Sequence, residues 1–193
     1  LSGAWVAYTN LAGANLTGAN LTNTRFFYDT NLSQADLRQT HWDPLHPPRF
    51  ENCNLAEARL DGLNLSGCLS GQPNSAGAYL DLSGVNLANA DLSRSTLRNA
   101  KLHQTMLTNA NLVQVNFQGA DLTGTNLSGA DLTNADLSQA DLTDADLSNA
   151  NLTETKLYQT KLYQTNLTRA LLRDTQFNQT KFQNTNCTYA KIQ

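Results

Sequence analysis

The chain has 193 residues, a formal charge of −3, 15% charged residues and three cysteines. That length suits one domain or at most two small ones, and the cysteines are too few for a disulfide scaffold. The charge argues against a basic nucleic-acid binder or a polybasic membrane binder, and no run of about 18 apolar residues offers a membrane span.

In chain order, an apolar residue returns every fifth position, with the phase broken at a few places. Val6, Leu11, Leu16, Leu21 and Phe26 share one phase, and Leu32, Leu37 and Trp42 are shifted by one. After Asp43-Pro44-Leu45-His46-Pro47-Pro48 the pattern resumes at Phe50, Leu55, Leu60 and Leu65. A Gly/Ser/Pro-rich stretch, 66–80, precedes an unbroken run from Leu82 to Ile192. In that run the large position is mostly Leu, the residue two before it is mostly Ala or Thr, and Asn or Asp usually stands between them.

A period of five fits neither a helix, which needs 3.6, nor a plain strand, which needs 2. Apolar residues two apart share one side of an extended segment, and the Asn or Asp between them faces the other way. Because five is odd, the chain must turn once per repeat to keep the next apolar pair inside. The two residues after each Leu are turn formers such as Ser128-Gly129 and Thr133-Asn134. The result is a polygonal coil stacked at about 4.7–4.9 Å. Its core includes Leu92, Leu112, Leu132, Leu152 and Leu172, with Ala130 and Ala150 in the small position.

Tandem A[D/N]Lxx units, such as Ala-Asp-Leu-Thr-Asn at 130–134 and Ala-Asn-Leu-Thr-Glu at 150–154, resemble the pentapeptide-repeat family over nearly the whole chain. The resemblance implies an all-β fold, a right-handed quadrilateral β-helix with four pentapeptides per coil, here about nine coils in a single domain over 1–193. Residues 1–65 form its less regular coils, 66–80 an inserted loop and 81–193 its regular coils. The two breaks, near 43–49 and 66–80, are about four repeats apart, so both should leave one edge of a four-sided coil and form a lateral protrusion. Loops on a rigid scaffold often carry function, which makes His41, Asp43, His46, Gln72 and Tyr79 a candidate loop site. Both termini stop inside a repeat, at Ala4-Trp5-Val6 and Ala190-Lys191-Ile192. A longer parent chain and an end-to-end homodimer, which the resemblance also implies, are the two readings of that.

Charge is banded. Residues 102–155 carry seven acids and no Lys or Arg, whereas 156–193 carry six bases against one acid. With four repeats to a coil this makes an acidic belt below a basic end. One face should read Lys101, Asp121, Asp141, Lys161, Lys181, with Asp136 below Lys156. Asp131 and Asp146 complete the candidate belt, and Tyr158 and Tyr163 in the repeated Lys-Leu-Tyr-Gln-Thr unit add an aromatic-basic patch on two neighbouring faces.

Catalytic constellations are missing from the pattern. His41, Asp43 and His46 have no third His or Cys near enough in sequence for a strong metal motif. Cys53 and Cys68 fall at small inward positions and Cys187 at a large one, so all three are expected to be buried and unbridged. No phosphate loop, nucleophile elbow or zinc spacing is present, so no catalytic, cofactor or metal residues are assigned. The outward ladder Thr123, Thr143, Tyr163, Gln183 loses its threonines after two steps, against an ice-binding array.

The expectation is therefore a non-enzymatic structural or protein-interaction module whose partner is another protein, with direct nucleic-acid binding disfavoured. The alternative implied by the resemblance is a DNA-mimic inhibitor of an enzyme such as a type II topoisomerase. The compartment is left open between bacterial cytoplasm, periplasm and thylakoid or plastid lumen.

Overall fold

A computed structural model describes residues 1–27, 29–41, 49–50, 55, 58, 60 and 82–192. Among them there is no helix. The strands are short: β1 (Trp5–Ala7), β2 (Arg25–Phe27), β3 (Arg49–Phe50), β4 (Lys161–Tyr163), β5 (Leu171–Leu172), β6 (Lys181–Gln183) and β7 (Lys191–Ile192). β1, β2 and β3 stack in parallel in that order, as do β4 with β6 and β5 with β7. Single parallel bridges continue the ladders between them.

Every pairing between Asn86 and Lys191 spans four pentapeptides, such as Asp121 with Asp141 and Asn151 with Leu171. Four repeats therefore close one coil, and the protein is a quadrilateral β-helix. We number its faces by the outward residue at their centre. The first carries Lys101, Asp121, Asp141, Lys161 and Lys181; the second Met106, Asn126, Asp146 and Asn166; the third Asn111, Asp131, Asn151 and Leu171; the fourth Asn116, Asp136, Lys156 and Gln176.

The corners are uniform. The N–H of the small residue donates to the carbonyl of the preceding large one, as from Ala130 to Leu127 at 3.0 Å. The residue just before that donor has positive φ at every fifth position from Gly84 to Tyr189. A left-handed third residue is the mark of a type II turn. It accounts for the Gly, Asn and Asp found there, which enter that region most readily, although Gln, Arg, Glu and Tyr also occupy it.

The interior is filled. The large positions from Leu82 to Leu172 and the Ala positions from Ala90 to Ala170 are buried, including every core residue named from the sequence. Burying one Leu contributes about 1.5–3 kcal/mol, but only when the coils above and below supply the walls. Thr fills the small position by a different route. Its hydroxyl donates to the carbonyl of a Leu in the coil below, as from Thr125 to Leu102 (2.7 Å) and Thr155 to Leu132 (2.8 Å). These buried hydroxyls are thereby satisfied rather than orphaned, Thr40 being the exception among the described residues.

The phase shifts seen in the sequence are register shifts. Trp5 pairs with Arg25, the regular step, but Asn10 pairs with Asn31, one position more. The step widens again from Arg25 to Arg49, and it is wider still where the Leu55 N–H donates to the Asn86 carbonyl. Beyond those points the regular ladder resumes.

One expectation is corrected. Cys187 is exposed rather than buried. It sits in the last coil, whose inward side chains have no coil above them; Phe182 and Ile192 are 50% and 70% exposed for the same reason. Trp42, Cys53 and Cys68, and the expected lateral protrusion, lie outside the described residues.

Candidate functional site

The outward Asn or Asp of each repeat is set by local bonding. Its Oδ1 accepts the N–H of the residue two positions on, at the start of the next corner: Asp121 from Thr123 (3.1 Å), Asp131 from Thr133 (3.0 Å), Asp136 from Ser138 (2.9 Å) and Asp146 from Ser148 (2.9 Å). This is an Asx turn. Where Thr follows, its hydroxyl donates to the same oxygen, 2.6 Å in the Thr123–Asp121 pair. Side chains one coil up also join in: Asn151 Nδ2 donates to Asp131 (3.2 Å) and Asn166 Nδ2 to Asp146 (3.0 Å). The sequence showed that these residues face outward. It did not show that they cap the corners.

The candidate acidic residues are spread around the coil. Asp121 and Asp141 lie on the first face, Asp146 on the second, Asp131 on the third and Asp136 on the fourth. They form a girdle, not a stripe. Lys156 stands directly above Asp136, as expected, yet the two form no ion pair among the described residues.

The first face carries the densest charge. Lys161 Nζ donates to Asp141 Oδ2 at 2.6 Å, one coil below. Partial burial works to raise the Asp141 carboxyl, but the Lys161 hydrogen bond, the donors of Thr143 and the nearby positive charge outweigh it and hold the group below the usual carboxylate range. The Asp141 hydrogen bond and charge raise Lys161 above the usual ammonium range. Asp121 below and Lys181 above make no ion pair among the described residues. Above Lys101 the ladder therefore runs two acids then two bases, with like charges in neighbouring coils.

The aromatic-basic patch gathers more tightly than the sequence suggested. Tyr158 is at the corner between the fourth and first faces and Tyr163 at the corner between the first and second, so the two bracket Lys161. Tyr158 is 40% exposed and Lys156 lies round the corner from it. One coil below, the same corners hold the small side chains of Ser138 and Thr143. At the corner of the fourth and first faces, Gln139, Gln159 and Gln179 form an amide ladder with bonds of 3.2 and 2.8 Å.

His41 is exposed and pairs with Asn20 at the edge of the described segment; Asp43, His46, Gln72 and Tyr79 lie outside the described residues. Among the described residues no three His, Cys, Asp or Glu side chains are placed to hold a metal ion, and no helix is long and apolar enough to cross a membrane. A shallow open depression near the last coil is lined by Arg169, Tyr189 and Lys191.

Solved structures with a similar arrangement include pentapeptide repeat proteins. HetL of Nostoc sp. strain PCC 7120, described as involved in heterocyst differentiation regulation, is 24% identical with a TM-score of 0.37, over 99% of this chain and 88% of that one. A pentapeptide repeat protein of the Arabidopsis thaliana thylakoid lumen is 31% identical over 60% of this chain and 69% of its own, with a TM-score of 0.31. The plasmid-mediated fluoroquinolone resistance protein QnrB1 is 18% identical over 100% of this chain and 85% of its own, with a TM-score of 0.35. No curated protein matches the sequence. The family model for pentapeptide repeats matches eight copies, spanning residues 1–27, 80–112, 110–149, 130–169, 150–186 and 160–193. With that match over most of the chain, and coils that close at every fourth repeat, the protein belongs to the pentapeptide-repeat family.

Proposed function

We propose that the chain is a non-enzymatic structural or protein-interaction module that meets another protein through the charged faces of the coils from Asp121 to Lys181. The filled interior carries this reading: Leu, Ala and Thr, with Val85, Ser95, Val115 and Phe117, occupy the inward positions from Leu82 to Leu172, leaving these described coils no chamber for a substrate. What the chain offers instead is a rigid set of faces with fixed charge. Complementary charge gives such a surface specificity and fast encounter more than raw affinity.

The test uses substitutions that change charge and spare the corners. Asn caps the corner as Asp does, for instance at Asn126 and Asn166. A triple Asp121→Asn, Asp131→Asn, Asp146→Asn variant should therefore melt close to the parent. Proteins captured from the source cell by the parent should be lost from this variant, and from one carrying Lys156→Glu and Lys161→Glu in place of the acidic changes if the basic end is the docking side. Capture unchanged by both sets would overturn the assignment to these faces.

A second reading, a DNA-mimic inhibitor of a DNA-binding enzyme such as a type II topoisomerase, is favoured by the stretch 102–155, which has seven acids and no base. Against it, the girdle is only about 13 Å tall at strand spacing, and a basic end adjoins it. Supercoiling by a type II topoisomerase should proceed unchanged with the protein present; inhibition at micromolar concentration would reverse this ranking.

A further inference from the structure

We infer that the first face is self-complementary and docks on the same face of a second copy of this chain, the two rods antiparallel. The argument does not need the hetero-partner reading above. Its basis is the order of charges up the ladder, Asp121, Asp141, Lys161, Lys181, in adjacent coils about 4.8 Å apart. A twofold axis across the face, midway between Asp141 and Lys161, reverses that order. It sets Asp141 opposite Lys161 of the second copy and Asp121 opposite Lys181 of the second copy, with both pairs formed twice.

Within one copy the arrangement is frustrated. Asp121 and Asp141 are stacked neighbours, as are Lys161 and Lys181, and like charges directly opposite on paired strands are destabilising. Of these four, only Lys161 and Asp141 pair with each other internally. Asp121 has Lys101 one coil below but forms no ion pair with it among the described residues. The second copy offers Asp121 and Lys181 the ion-pair partners they lack, and it places each central Lys between two carboxylates. Among the coils above residue 100 the other faces carry no such doubled pattern: the second has Asp146 alone, the fourth Asp136 and Lys156, the third Asp131 and Lys191.

Side-chain size gives an independent match. The same axis carries each corner onto itself with the levels exchanged. Tyr158 then meets Ser138 of the second copy, and Tyr163 meets Thr143 of the second copy. The two bulky rings on one level thus face the two small side chains on the other. The tyrosines are outside the core, so its packing does not account for them.

Four coils overlap over about 19 Å, which puts the contact in the small, transient class of interfaces. Being electrostatic at its core, it should weaken as salt rises. Analytical ultracentrifugation of the purified chain across a concentration series, at low and high ionic strength, tests it. The expected result is a salt-sensitive monomer–dimer equilibrium that Lys181→Asp and Asp121→Lys each weaken by about tenfold or more. The double variant, carrying both reversals, restores opposite charges at every contact of the twofold arrangement and should return to within about threefold of the parent. Circular dichroism and melting of each variant separate lost pairing from lost folding. A chain that stays monomeric at low salt, a dimer indifferent to both single reversals, or a double variant no better than the singles would each overturn the inference.

Discussion

Each outward Asn or Asp serves both the corner that follows it and the surface around it, and the two roles can be separated. Oδ1 of Asp131 takes the Thr133 N–H, while its charge is what a partner would feel. Asp131→Asn should keep the corner and change stability by less than about 0.5 kcal/mol, whereas Asp131→Ala leaves a backbone donor without its cap and should cost about 1 kcal/mol, read by urea unfolding. The outward direction of these residues was legible from the odd period alone. Their bonding was not, because Asn and Asp are also ordinary exposed residues and nothing in a five-residue pattern marks an acceptor. The inward threonines are a similar case. Thr125 reads as a small residue, and its carbonyl partner on Leu102 comes within reach only because the coil closes at the fourth repeat.

Among the strands, β4 carries the one ion pair linking coils within the candidate patch, between Lys161 and Asp141. Both groups are partly exposed, so the pair is worth at most about 0–1 kcal/mol. Its pH dependence has a definite sign. The Asp141 carboxyl lies below its unfolded value, so its contribution is present above the ordinary carboxylate range and is lost as pH falls through the lowered value. Lys161 is raised, so its contribution holds below the ordinary ammonium range and fades as pH climbs through the raised value. In melts recorded across pH, Asp141→Asn should flatten both sides of the stability profile, since it removes the carboxylate that raises Lys161. Lys161→Met should flatten the alkaline side and only shrink the acid side, where the Thr143 donors remain. The stacking of Lys101, Asp121, Asp141, Lys161 and Lys181 was legible once four repeats were taken to make a coil. That Lys156 would stand over Asp136 without pairing was not, because register fixes which residues are neighbours but not which rotamers they adopt. Nor was the placing of both tyrosines about a single face, which depends on which corner each turn makes.

Over the whole molecule, stability is spread along the rod, each coil resting on its neighbours. A charge buried in a middle coil should therefore be felt in both directions. Leu132→Asp places an unpaired carboxylate where Leu132 has no exposure, and should cost about 4 kcal/mol or more or abolish cooperative unfolding, as followed by far-UV circular dichroism. The same change at the far end, Phe182→Asp, meets a side chain already 50% exposed and should cost much less. The β-helix itself was the most legible feature, since a five-residue period admits few other architectures. The exposure of Cys187 was missed because its position in the repeat is inward, and a repeat pattern does not show whether a coil covers that position. The ladder also passes through the widened steps from Asn10 to Asn31, Arg25 to Arg49 and Leu55 to Asn86, then returns to its regular count without disturbing the coils beyond. Such a scaffold can lengthen a corner without changing its pitch. A corner is accordingly a splice point, where a foreign peptide could be grafted and displayed while the rod on either side keeps its own count.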